Sequence, residues 1–207
     1  AFICSSLQAE RLSISMDQNW EFSLRDLAAD SVFIEQQGWR ELDLPHDWSI
    51  EGKYDKYHPS GRGGGYLPTG TAWYRKEFKL PAVYKGRRVF IEFDGVMANS
   101  EVYINGHLLG KRPNGFISFS YDMSEYLRFG EINQLSVRVD NSIQPASRSY
   151  AGSGIYRHVR MTFKSPVYLP QWGVFVRSSK VSTEQAELNV QIDVRNDGEE
   201  SADIQVV

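Results

Sequence analysis

The sequence predicts an all-β fold, an antiparallel sandwich of two sheets, and three observations carry that prediction. Apolar and polar residues alternate with period two in segment after segment, the pattern of strands with one face in a core and one in water. Aromatic residues make up 13% of the chain, and 17 Gly and 8 Pro accompany them, a mixture that favours strands joined by tight turns over helices. The alternating segments recur at regular spacing with turn residues between them, as in sandwiches.

In chain order, Trp20, Phe22 and Leu24 alternate with Glu21, Ser23 and Arg25. Tyr74, Phe78 and Leu80 share a face opposite Arg75, Glu77 and Lys79, with Lys76 breaking the pattern. Val89, Ile91 and Phe93 alternate with Phe90, Glu92 and Asp94, which places Glu92 and Asp94 on an exposed polar face. Val102 and Ile104 lead into Asn105-Gly106, two residues that accept the positive φ of a type I′ hairpin turn, and Leu108 begins the return strand. Phe119 with Tyr121, then Leu135, Val137 and Val139, then Val159, Met161 and Phe163, continue the alternation. Helix is scarce: Ser31 to Gln37 and Ser124 to Phe129 each have room for a turn or two, with Ser124 as the N-cap of the second.

Two prolines bracket a boundary at Ser165 to Pro170, and the texture changes after it. Val174 and Val176 form a short strand, and Leu188, Val190, Ile192 and Val194 another. Asn196-Asp197-Gly198 is a turn, and Ile204 to Val207 opens a further strand. So few strands do not bury a core alone, so residues 167–207 are expected to be part of a second β domain, after a first domain at 10–166. Residues 1–9, apolar and then small before Glu10-Arg11, read as the remnant of a secretory signal with cleavage after Ala9. That predicts a periplasmic or secreted protein whose single cysteine, Cys4, is discarded.

Composition excludes several functions. With 23 Lys and Arg against 26 Asp and Glu the net charge is −3, without the basic excess of a nucleic-acid binder. No apolar run approaches the roughly 20 residues that cross a bilayer. One cysteine excludes a disulfide framework and a cysteine zinc site, and His46, His58, His107 and His158 show no metal spacing, so no cofactor is expected. Gly61-Arg62-Gly63-Gly64-Gly65 lacks the Lys-Ser/Thr of a phosphate loop and reads as a structured turn. No carboxylate pair stands out as an acid and a nucleophile. The segment Trp48 to Trp73, with Tyr54, Tyr57, His58, Arg62 and Tyr66, mixes aromatic rings with hydrogen-bonding groups, a combination suited to sugars and equally to a loop pinned by its own aromatics.

Several motifs fall in a known order: Leu44-Pro45-His46-Asp47-Trp48, Gly64-Gly65-Tyr66-Leu67-Pro68, Trp73-Tyr74-Arg75-Lys76, Phe93-Asp94-Gly95-Val96, Val102-Tyr103-Ile104-Asn105-Gly106 and Gly152-Ser153-Gly154-Ile155-Tyr156-Arg157. Together they closely resemble the N-terminal domain of glycoside hydrolase family 2, the family of β-galactosidases and β-glucuronidases, over residues 17–166 and into the opening strands of its second domain. The resemblance implies a jelly-roll, galactose-binding-like sandwich followed by an immunoglobulin-like domain. It also implies a downstream catalytic barrel whose two glutamates perform retaining hydrolysis outside this chain. The chain would then be the non-catalytic N-terminal part of an exo-glycosidase, with a carbohydrate substrate and the barrel as its partners and homo-oligomerisation left open. Relatives often place an Asn after Asp-Gly-Val, where Met97 stands here, and an acid where Arg148 stands. Asn99, Arg148 and Tyr150 are therefore the substrate-side candidates, Arg148 being able to hold a hydroxyl or a carboxylate. Arg157 is expected to pair with a carboxylate across the sandwich. A free-standing carbohydrate-binding module is the alternative, and a buttress that touches no sugar a third reading.

Overall fold

A computed structural model describes residues 11–145 and 149–205. Among these residues ten strands build the sandwich: β1 (Arg11–Ser15), β2 (Trp20–Ser23), β3 (Arg40–Leu42), β4 (Thr71–Lys79), β5 (Arg88–Phe93), β6 (Ser100–Ile104), β7 (His107–Arg112), β8 (Phe119–Asp122), β9 (Ile132–Asp140) and β10 (Val159–Lys164). One sheet runs β1-β10-β5-β8 and the other β3-β2-β4-β9-β6-β7, with every pair antiparallel. Trp20, Phe22 and Tyr74, Ile91 and Phe93, Val137 and Val139, and Met161 and Phe163 fill the space between the sheets, as the alternation requires. Burying each side chain of this size contributes roughly 1.5–3 kcal/mol before entropy is counted. Asn105 and Gly106 take φ of 50° and 87°, both positive, so the β6–β7 hairpin turns where the sequence places it.

The outer faces depart from the simple alternation. Arg75 and Trp73 are buried because residues 24–39 fold back over the six-stranded sheet and form a second apolar cluster of Val32, Trp73 and Tyr103. Arg75 donates to the Glu21 carboxylate at 2.6 Å and to the carbonyls of Val32 and Glu35, and it lies over the Trp39 ring. Leu24 is exposed because β2 ends at Ser23. Glu92 and Asp94 are not a free polar face, since arginines of the same sheet pair with them: Glu92 is buried against Arg11 of β1, and Asp94 accepts two bonds from Arg160 of β10 at 2.7 and 2.6 Å. Those bonds hold the Asp94 carboxyl below its usual range. The helical segments shrink to 3₁₀ turns at Ser31–Phe33 and Ser124–Tyr126. Ser124 does not cap its turn: its hydroxyl accepts the Val89 N–H at 2.7 Å and donates to Asp122.

After Lys164 come β11 (Val167–Tyr168), β12 (Val174–Ser179), β13 (Glu187–Ile192) and β14 (Arg195–Asn196), paired β11 with β14 and β12 with β13. Val174, Val176, Leu188 and Val190 are more than half exposed, as expected of two-stranded ribbons. Ile204 and Gln205 are irregular and begin no strand.

Candidate functional site: the loop rim at one end of the sandwich

Three connections, 94–99, 113–118 and 141–158, leave the same end of the sandwich, because their strands pair antiparallel with those ends in register. The long excursion 43–70 is tied to them by backbone bonds. His46 N–H donates to the Ile155 carbonyl at 2.8 Å and Trp48 N–H to that of Ser153 at 3.1 Å. Met97 and Gly154 exchange both of their bonds, and Asn99 N–H reaches the Pro113 carbonyl. The 48–73 and 149–157 segments therefore share one rim.

Asp47 is the hub of that rim. Its Oδ1 accepts the N–H of Ser49 at 3.0 Å, capping the 3₁₀ turn Trp48–Glu51, and the N–H of Ser153 at 2.9 Å. Its Oδ2 accepts the Tyr150 hydroxyl. Beneath it lies His46, with Nδ1 at 2.7 Å from the fully buried Tyr74 hydroxyl and Nε2 at 3.2 Å from Glu51 and from Arg40. Burial lowers the His46 pKa against the opposing pull of Glu51, and burial raises that of Tyr74 well above a free phenol. Periodicity marks neither His46 nor Asp47, since both depend on a loop returning to the sheet. The polar pair His46-Asp47 between apolar Leu44 and Trp48 is the signal that could have found them.

The predicted site residues fare differently. Tyr150 is on the rim, its ring partly exposed and its hydroxyl held protonated by burial and by Asp47. Asn99 is exposed on the same rim at φ 45°, with its amide N–H on the Asp140 carbonyl at 3.0 Å. Arg148 lies outside the described residues. Met97 is buried against Gly115, where a Cβ would come within 2.6 Å of its sulfur, so it does not reach outward. Arg157 lies over the Tyr156 ring at 5.2 Å, and Arg160 makes the ion pair with Asp94 in its place.

A cleft among Ser49, Ser60, Leu67, Asn141 and Tyr150 encloses about 20 Å³. That is room for about one water and far too little for a sugar ring. Among the described residues no cluster of three or more His, Cys, Asp or Glu is arranged to hold a metal. The rim's chemistry is thus hydrogen bonding and aromatic contact, with Asp47 already occupied by three donors.

A family model described as the glycosyl hydrolase 2 galactose-binding domain-like domain matches residues 66–183. The β-galactosidase BoGH2A of Bacteroides ovatus is 46% identical over 203 residues, 98% of this chain. The chain belongs to glycoside hydrolase family 2. A putative β-glucuronidase of Formosa agariphila is 37% identical across 93% of the chain. Among solved structures, a β-glycosidase from Bacteroides vulgatus superposes with a TM-score of 0.82 at 41% identity, covering 91% of this chain and 25% of its own. Bacteroides uniformis β-glucuronidase 2 gives 0.80 at 28% identity, covering 91% and 23%. This chain spans 24% and 19% of the lengths of the first two relatives, about a quarter or less.

Proposed function

We propose that this chain is the non-catalytic N-terminal part of a retaining, β-galactosidase-like exo-glycosidase that removes terminal sugars from oligo- or polysaccharides. The observation that carries the reading is a rim locked around Asp47 whose own cleft is too small for a sugar. Such a rim suits one wall of a pocket completed by other polypeptide, as ligand pockets between domains are. In this reading Tyr150, Asn99 and Arg148 face the sugar, and a barrel elsewhere in the polypeptide supplies the acid/base and nucleophilic glutamates. Residues 167–207 are taken as strands of an immunoglobulin-like domain, and the protein as exported.

The test is hydrolysis by the full-length protein of paired chromogenic β-galactosides and β-glucuronides. The expected outcome is turnover of the galactoside with retained anomeric configuration. Tyr150→Ala should raise KM several-fold with a smaller change in kcat, the loss of binding common to ground and transition states. No turnover of either substrate, or tight binding of a galactose-sized sugar by residues 10–207 alone, would overturn the reading in favour of a free-standing binding module.

A further inference from the structure

The segment from Gly52 to Tyr66 carries groups that the rim's internal bonding does not use. Tyr54 and Tyr57 are 77% and 80% exposed, although a tyrosine ring is a large apolar surface that proteins ordinarily cover. The backbone that holds them out is closely tied. Asp55 N–H donates to the Tyr66 carbonyl at 3.0 Å, Tyr66 N–H to that of Gly61 at 2.8 Å, and the Ser60 hydroxyl to that of Leu67 at 2.7 Å.

Charge is concentrated on the same loop. The side chains of Lys53, Lys56 and Arg62 are exposed and form no ion pair or hydrogen bond among the described residues. Lys56 Nζ sits 4.9 Å from the centre of the Tyr57 ring. The opposing carboxylate is Asp55, which is committed to the Tyr57 N–H at 2.9 Å. A chain with a net charge of −3 thus gathers cations without carboxylate partners beside exposed aromatic rings on one surface loop. An apolar partner would leave those cations to be desolvated without compensation. A partner that brings both apolar faces and anionic groups satisfies the whole set.

We propose that this loop is a platform for an anionic glycan, outside the cleft beside Tyr150. Tyr54 and Tyr57 would stack on the C–H faces of sugar units, and Lys53, Lys56 and Arg62 would take their carboxylates or sulfates. The proposal rests on the family 2 reading for a saccharide as ligand. It extends that reading to units beyond the terminal sugar.

Native affinity electrophoresis of the full-length protein tests it, using gels that contain polygalacturonate, dextran sulfate or a neutral galactan. The expected result is retardation by an anionic polymer and not by the galactan. Tyr54→Ala/Tyr57→Ala should weaken that retention by roughly tenfold, since each ring contributes its own contact. Lys53→Gln/Lys56→Gln/Arg62→Gln should remove its salt dependence. Retention by polygalacturonate identifies carboxylates as the recognised group, and retention by dextran sulfate alone identifies sulfates. All five positions are exposed, and melting curves matching wild type would show that the fold is intact. Absence of retardation, equal retention by galactan, or retention unchanged in the tyrosine variant would overturn the platform. Cleavage of a small chromogenic glycoside by the same wild-type protein is read separately. Cleavage without retention sinks the platform and leaves the glycosidase standing, whereas retention without cleavage does the reverse.

Discussion

At the scale of single residues, His46 is the group on which the rim's hydrogen bonding turns. A neutral imidazole donates at one nitrogen and accepts at the other, which matches a carboxylate at Nε2 and a hydroxyl at Nδ1. Burial and the nearby Arg40 cation oppose its protonation, so its folded pKa lies below the ordinary imidazole value of 6.5. The unfolded chain therefore binds the proton at a higher pH than the folded chain. The stability that neutral His46 contributes is whole above pH 6.5 and falls away as the pH drops from there through the depressed folded value. Urea midpoints measured from mildly alkaline to mildly acidic pH should show this loss in the wild type, and His46→Gln should lack that component. Tyr74→Phe keeps the ring packed on Phe22 and Trp20 and removes the hydroxyl partner. It should cost about 1–2 kcal/mol at neutral pH, because a buried ring nitrogen then loses its bond.

At the scale of elements, two glycines separate a turn from a contact. Gly106 closes the β6–β7 hairpin at φ 87°, and a Cβ there meets nothing within 4 Å. Gly106→Ala should cost only the strain of its backbone, about 1 kcal/mol. Gly154 combines φ 122° with a Cβ position 2.4 Å from the Tyr74 hydroxyl and 2.7 Å from the His46 carbonyl. Gly154→Ala must displace the strip that joins 46–48 to 153–155, and thermal melts should place it several degrees below Gly106→Ala. Equal melting temperatures would show that the strip yields freely. The same contrast explains what is legible in the sequence. Leu135, Val137 and Val139 declare their buried face directly, because a strand's inward side is written in every second residue of one short segment. Likewise Asn105-Gly106 names its own turn. Arg75 and Glu92 are buried by partners far off in sequence, residues 24–39 and Arg11, and no local period reports a cover that arrives from elsewhere. Tyr150 could be chosen as a rim residue by resemblance, whereas Asp47 as the group that holds it could not, since their bond spans 103 positions.

At the scale of the molecule, the contact between the sandwich and the strands after it is made of few groups. Tyr168 is buried, its ring 5.4 Å from Phe90 and its hydroxyl 2.9 Å from Asp197. Arg88 bridges Asp122 of β8 and Asp197 of the following turn, the second at 3.3 Å. Lys164 is buried between the Phe90 and Tyr168 rings at 4.6 and 5.2 Å and donates to the Leu169 carbonyl. Its burial lowers its pKa, so the aromatic pair and that carbonyl offset the cost of keeping an ammonium out of water. Removing the tyrosine ring uncovers both Phe90 and Lys164, and the ammonium then regains water while the apolar contact is lost. Tyr168→Ala should therefore cost about 3 kcal/mol locally and speed both amide exchange at Val167–Tyr168 and proteolytic cleavage within 165–173. Tyr168→Phe retains the ring over Phe90 and gives up only the bond to Asp197, a loss of about 1 kcal/mol, so its cleavage rate should lie between those of wild type and Tyr168→Ala. The core cluster between the two sheets includes none of these groups, and exchange in β4 and β9 should stay as slow as in wild type. Were β4 and β9 to open together with the joint, the two parts would unfold as one unit, and Tyr168 would have to be counted as part of the sandwich.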